Sequence, residues 1–214
     1  MSLRELKAER KRRDILRSAA HAFKKKGYSA TTMEDIASEL LMTQGSLYYY
    51  FKSKEEILFA CHEYSMEHIL TSLEWVSAAD ATAAAKIRTL VAEHVTVLMD
   101  DLQGSAMALE FTALAEPYLS KIVALRDQYE RGLREIISRG VESGEFVPVN
   151  PRLSGFMVLG AINWIARWLD PTGPLTPETV AQHFSDLFLR ALGADPTRVR
   201  PLPHPAVDSG PSSE

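Results

Sequence analysis

Apolar residues recur at three- and four-residue spacing along most of the chain, and no stretch alternates with period two for long enough to be a strand. From Glu5 to Lys26 the positions Ile15, Leu16, Ala19, Ala22 and Phe23 share one face, Lys and Arg fill the rest, and Gly27 follows directly. That pattern predicts an amphipathic helix stopped by a glycine. Thr31 or Thr32 then stands at an N-cap position, Glu34 and Asp35 fall in the first turn, and Met33, Ile36, Ala37 and Leu40 form the apolar face of a second, short helix. Thr43 can cap a third short helix and Ser53 a fourth, which opens with Lys54-Glu55-Glu56 and runs through Leu58, Tyr64 and Leu73. Helical stretches continue at Ala81–Leu102, Ser105–Glu116, Tyr118–Ser143, Pro151–Leu169 and Pro177–Leu192, punctuated by Gly104, Pro117, Gly144–Pro148 and Asp170–Pro174. Pro151 and Pro177 suit the first helical position, with Thr176 as a cap. The fold class is all-α.

The chain has 214 residues, 46% of them hydrophobic, enough for one or two domains with a real core. Disorder is excluded except at the ends; the last twenty residues hold five prolines with Ser and Gly, and 194–214 reads as a disordered tail. Charge changes the picture when it is split. Residues 1–60 carry 12 Lys/Arg against 8 Asp/Glu, whereas 61–214 carry 12 against 20, so a small basic part precedes a larger acidic one. A single cysteine, Cys61, a charged stretch after Met1 and a longest apolar run, Gly155–Leu169, that is shorter than the roughly 20 residues of a bilayer span all point to a cytoplasmic protein without a membrane segment.

Two short helices joined by a tight turn, 33–40 and 44–51, have the dimensions of a helix-turn-helix, whose second helix enters the major groove. At 100° per residue Leu47 and Phe51 point at the core, while Gly45, Ser46, Tyr49 and Tyr50 gather on the opposite side. Three consecutive tyrosines cannot all face inward. Phenol hydroxyls can bind phosphate oxygens, ring edges can meet thymine methyls, and a glycine at the helix start allows close approach to a duplex. Lys52 and Lys54 flank this face and could neutralise phosphates. The basic run Arg4–Arg13 is either a DNA-touching arm or a solvated helix end.

The stretch Tyr28-Ser29-Ala30-Thr31-Thr32-Met33-Glu34-Asp35-Ile36-Ala37, followed by Gly45-Ser46-Leu47-Tyr48-Tyr49-Tyr50-Phe51-Lys52-Ser53-Lys54-Glu55-Glu56-Ile57-Leu58, resembles the DNA-binding domain of the tetracycline-repressor (TetR) family over about residues 10–60. The resemblance implies an all-helical homodimer of about nine helices per subunit. A three-helix head, residues 1–54, would bind an inverted-repeat operator in double-stranded DNA, and a domain at 55–193 would bind a small effector and pair through its last two helices. Its DNA-facing set would comprise Thr31, Thr32, Thr43, Gln44, Gly45, Ser46, Tyr48, Tyr49, Tyr50, Lys52 and Lys54, with Thr31, Tyr49, Tyr50 and Lys54 on phosphates and Gln44, Gly45 and Tyr48 at bases. One position departs from the family pattern. Leu41 stands where the turn usually has glycine, so either the turn is distorted or a left-handed leucine is tolerated.

The remaining chemistry is thinner. His21, His62, His68, His94 and His183 show no metal spacing, and GxSxG, HExxH and a complete P-loop are absent, so neither metal, cofactor nor enzyme activity is expected. The competing readings are a ligand-released repressor, an architectural DNA-binding protein without effector, and a helical enzyme. Met99, Met107, Phe111, Met157, Trp164 and Trp168 are core residues or the lining of an apolar pocket. Asn163 and Arg167 need polar partners, at an interface, on a ligand or in solvent. The runs 140–146 and 163–176 resemble TetR-type regulators of lipid and steroid catabolism, which implies an acyl-CoA effector with Arg167 as a donor to its anionic end; a dimer-interface role for Arg167 and Trp168, with a neutral ligand, stays open.

Overall fold

The computed structural model describes residues 2–99, 111–170 and 173–205. Eight α-helices are present among them: α1 (Leu3–Lys26), α2 (Met33–Glu39), α3 (Gln44–Tyr50), α4 (Lys54–Ala78), α5 (Ala83–Met99), α6 (Tyr118–Glu142), α7 (Pro151–Trp168) and α8 (Pro177–Ala191). Short 3-10 turns lie at Phe111–Ala113 and Pro196–Arg198. Of the helix expected at Ser105–Glu116, residues 105–110 fall outside the described residues; Phe111–Ala113 is a single 3-10 turn that ends before Pro117, a residue that cannot continue a helix hydrogen-bond ladder.

The boundaries follow their chemistry. Ser2 and Glu5 form a reciprocal capping box that starts α1, and Gly27 stops it at φ 82°. Thr32 and Asp35 repeat the capping box on α2, while Thr43, Ser53, Asn150 and Thr176 cap α3, α4, α7 and α8 with their side-chain oxygens.

Two apolar cores are built on these helices. The first gathers Ile15, Leu16, Ala19 and Phe23 of α1, Ile36, Leu47, Phe51 and the opening turns of α4 from Ile57 to Cys61, and it extends to Leu114 and Ile122. The second joins α4 from Met66 to Val76 with α5, α6, α7 and α8. Helix α4 therefore belongs to both, and it is tied to the body by the stacked rings of Phe59 and Tyr118, 4.6 Å apart, and by the Ala115 N–H donating to Glu55 at 2.7 Å. Gly132 lets α6 approach α4: a Cβ there would lie 2.4 Å from a Leu73 methyl.

The tail assignment needs correcting for its first half. Residues 194–205 pack: Pro196 is buried, Val199 and Leu202 rest on the second core, the Leu202 N–H donates to Thr89 at 2.8 Å, and His204 lies 5.5 Å from Trp75. Arg88, only 3% exposed, ties α5 to α8 and the tail through Asp186 at 2.6 Å and the Pro196 carbonyl at 2.8 Å. Proline richness misleads here because a segment without regular structure can still bury apolar side chains against a framework. Residues 206–214 are outside the described set.

Candidate nucleic-acid interface and ligand core

Helices α2 and α3 cross at a turn that contains Leu41 at φ 51°, its side chain 97% exposed. The left-handed conformation usual for glycine is thus kept, and the leucine sits in it without packing compensation. Leu47 on α3 and Phe51, the residue that ends it, are fully buried, and the guanidinium of Arg12 covers the Phe51 ring at 4.2 Å. With these residues fixing the inner face, Gln44, Gly45, Ser46, Tyr48 and Tyr49 are exposed, Tyr49 at 76%. Tyr50 is half-buried and meets Tyr49 edge-on at 5.2 Å. A Cβ at Gly45 would touch nothing within 4 Å, so the fold does not need a glycine there. Thr43 and Ser46 share a hydroxyl contact at 2.8 Å at the start of the helix, and Thr32 is exposed with its hydroxyl on Asp35. Asp35 is held down to about 2 by the Lys26 ammonium at 2.7 Å and by hydrogen bonds from Thr32.

Two expected phosphate ligands are used otherwise. Thr31 is 1% exposed, and its hydroxyl donates to the Ala22 and Gly27 carbonyls at 3.3 and 2.8 Å, which closes the α1–α2 loop. Lys54 donates to the Tyr28, Ser29 and Thr31 carbonyls at 2.7, 3.3 and 2.8 Å and lies over the Tyr28 ring at 4.4 Å. Its three ammonium protons are thereby matched by three acceptors. Lys52 differs: it makes one carbonyl contact, to Tyr48 at 3.1 Å, and remains exposed beside the tyrosine face. Of the basic run Arg4–Arg13, residues 4–10 and Arg13 are exposed on α1, while Lys11 and Arg12 are half-buried, Arg12 over Phe51.

The expected ligand residues separate. Asn163 turns a buried carbonyl oxygen toward the second core, Met99 is half-buried against that core, Phe111 is half-buried against the first core, and Met107 lies outside the described residues. Met157, Trp164 and Trp168 are 44%, 63% and 42% exposed, and Arg167 is exposed too. They cannot line an interior pocket of this chain; with Leu153 and Phe156 they form the outer face of α7. An amphipathic period locates a face but not the element that covers it, so the period alone does not separate a pocket lining from an outer surface. The sequence pattern also gives no prominence to His62, His94 and Arg126. Both histidines are buried, pushed down to about 4 by loss of hydration and by the nearby Arg126, and the Arg126 guanidinium lies 4.4 Å over the Phe111 ring. Their signal, a polar residue on an otherwise apolar helix face, is weak in a sequence where a histidine can equally be surface.

Comparison with known proteins decides the lineage. Residues 15–61 match the family described as "Bacterial regulatory proteins, tetR family", and residues 80–192 match "Tetracyclin repressor-like, C-terminal domain". The chain belongs to the TetR family. Similar members include the HTH-type transcriptional repressor KstR2 of Mycobacterium tuberculosis H37Rv, 27% identical over 195 residues that cover 84% of this chain and 91% of KstR2. The crystal structure of the TetR-family regulator PfmR from Thermus thermophilus superposes with TM-score 0.77 at 34% identity, covering 82% of this chain and 97% of PfmR. That of AibR in complex with isovaleryl coenzyme A and operator DNA does so with TM-score 0.74 at 27% identity, covering 82% and 96%. This TetR-family chain is accordingly a DNA-binding transcriptional regulator.

Proposed function

We propose that this protein represses transcription as a homodimer that grips an inverted-repeat operator through two copies of α3 and lets go when a small effector enters the second core. The observation that carries the reading is the two-faced α3 helix: Leu47 and Phe51 fully buried behind, and Gln44, Gly45, Tyr48 and Tyr49 exposed in front. Gln44, Gly45 and Tyr48 reach bases, Tyr49, Tyr50 and Lys52 hold phosphates, and Thr32, Thr43 and Ser46 border the contact. Lys54 and Thr31 set the loop behind this face.

Pairing is supported by the outer face of α7, where Leu153, Phe156, Met157, Trp164 and Trp168 stand exposed with Leu187 of α8. A Cβ at Gly160 would meet nothing within 4 Å, so a second helix can approach closely there. Trp168 lies 6.3 Å from Phe184 and joins the two helices into one surface. Among the described residues no helix is long and apolar enough to cross a membrane, in keeping with the cytoplasmic site where an operator is found.

Effector control is supported by adjacency. His62 and Phe111, in contact at 6.3 Å between ring centres, lie within four positions of Phe59 and Ala115, the residues that fasten α4 to the body. A ligand that prefers one spacing of α4 and α6 shifts the heads by differential affinity for the two states. An acyl-CoA thioester is the effector class we favour, since AibR was crystallised with isovaleryl coenzyme A and operator DNA. The test titrates acyl-CoA thioesters and neutral aromatic ligands into the operator complex. Release by a thioester is expected; release by a neutral ligand alone would remove the thioester class and keep the ligand-gated repressor.

A further inference from the structure

Where the two cores meet, several buried polar groups have no partner among the described residues. His62 and His94 are 1% and 2% exposed, and neither nitrogen of either ring has a hydrogen-bond partner among the described residues. The Asn163 carbonyl oxygen is buried and unpartnered as well. It lies beside His94 and favours the protonated ring against burial and Arg126, but the pair falls short of hydrogen-bond geometry. Arg126, half-buried on α6, has no carboxylate within ion-pair distance and no hydrogen bond among the described residues; its only contact of note is the Phe111 ring. Desolvation works against its charge, and it depresses both histidines. Four helices and the Phe111 turn thus bring together one cation with unused donors, two neutral imidazoles with one N–H each, and the rings of Phe111 and Tyr129, the latter 5.4 Å from His94.

Buried polar atoms without partners are rare in folded proteins, and several in one place call for a partner such as water, an ion or a ligand. Donors are in excess. A hydrocarbon would leave them unmet, whereas an anionic oxygen group would neutralise Arg126 and accept from it through two N–H groups. We propose that this cluster receives an anionic oxygen group borne by an apolar ligand, with Arg126 as the charge partner, His62 and His94 as N–H donors, and Phe111 and Tyr129 as apolar walls. This rests on the effector-binding reading above and adds the chemistry of the ligand's polar end. Carboxylates and the phosphates of a CoA ester share that chemistry.

The experiment uses the full-length protein and a series of straight-chain, branched and ring-bearing carboxylic acids, each with its methyl ester and its CoA thioester. Binding is followed by calorimetry and by operator release. At least one anionic ligand should bind about tenfold or more tighter than its methyl ester. Arg126→Gln should abolish that preference while leaving ester affinity within about twofold, and Arg126→Lys, which keeps the charge, should retain most of it. A preference for free acids assigns a carboxylate to the site, and a preference for thioesters a CoA phosphate. Equal affinity of esters and anions, an anion preference that survives Arg126→Gln, or no binding by any anion overturns the proposal and leaves the cluster a hydrated part of the core. Operator release by the esters in that case would keep the ligand-gated repressor intact, so the two readings fail separately.

Discussion

Lys52 and Lys54 stand two residues apart and meet opposite surroundings. Lys54 spends its donors on three carbonyls of the 28–31 loop, whereas Lys52 has one such contact and faces solvent. Lys52→Ala should therefore lower the salt dependence of operator binding by about one phosphate equivalent per head without loss of stability. Lys54→Met should leave that slope nearly unchanged but destabilise the fold by roughly 1–3 kcal/mol, since three carbonyls lose a charged donor. Urea denaturation beside salt-titrated DNA binding separates the two; a full slope loss in Lys54→Met would put it back on the phosphates. The buried histidines give a second outcome at this scale. His62 and His94 sit near 4, while an unfolded imidazole titrates near 6.5, so the unfolded chain takes up protons first as pH falls. Stability that is complete above about pH 6.5 should then be lost on the way down to about 4, by up to about 1.4 kcal/mol per pH unit for each histidine. Arg126, Asn163 and Tyr129 face this pair. Stability measured between about pH 7 and 5 should fall, and His62→Gln/His94→Gln should flatten the profile; a flat profile in the unmodified protein contradicts the burial of neutral rings. The tyrosine face was readable from the sequence because it needs only the helical period, whereas the fates of Lys54 and Thr31 depend on partners brought close by the loop.

Among the elements, α7 carries the largest discrepancy between sequence and structure. Its period marks one apolar stripe, yet the helix has two: Val158, Ile162 and Ile165 inward, and Leu153, Phe156, Met157, Trp164 and Trp168 outward. A sequence cannot say which of two apolar faces meets its own chain and which meets a copy. Trp164→Asp, a change at a residue 63% exposed, should spare the monomer fold, yield a monomer by sedimentation at micromolar protein and weaken operator binding, because each head alone has few contacts. A dimer that survives this substitution would move the interface elsewhere. The capped starts of α2, α3, α4 and α8 were legible, since each cap is a local event within three residues, whereas on α7 only Pro151 at the first position was read and not the Asn150 cap. The packed stretch 194–205 was not, because nothing local distinguishes Val199 and Leu202 resting on a core from the same residues in a solvated tail.

At the scale of the whole molecule, α4 is the shared member. Its first turns complete the core that fixes α3, its remainder belongs to the second core, and His62 lies between the two sets. The division of charge into a basic N-terminal part and an acidic remainder matches this layout: the basic part carries α3, whereas most of the twelve Lys and Arg of the remainder are exposed, with Arg88 buried and Arg126 half-buried. The fold class and the head were legible because helical period and capping determine them. Of the apolar and polar positions singled out on the C-terminal helices, Met99 and Asn163 lie at the second core and Phe111 at the first, and the sequence could not show this because these cores converge from helices far apart in the chain. The exposed face of α3 is the surface we propose reads an operator. In vitro selection of bound DNA, run in parallel on the unmodified protein and on Tyr49→Ala checked to be folded and dimeric, tests it directly. The unmodified protein should enrich an inverted repeat with half-sites about one helical turn or more apart, and Tyr49→Ala should enrich it weakly or not at all. Equal enrichment by both proteins, or no enriched sequence from either, would contradict the account.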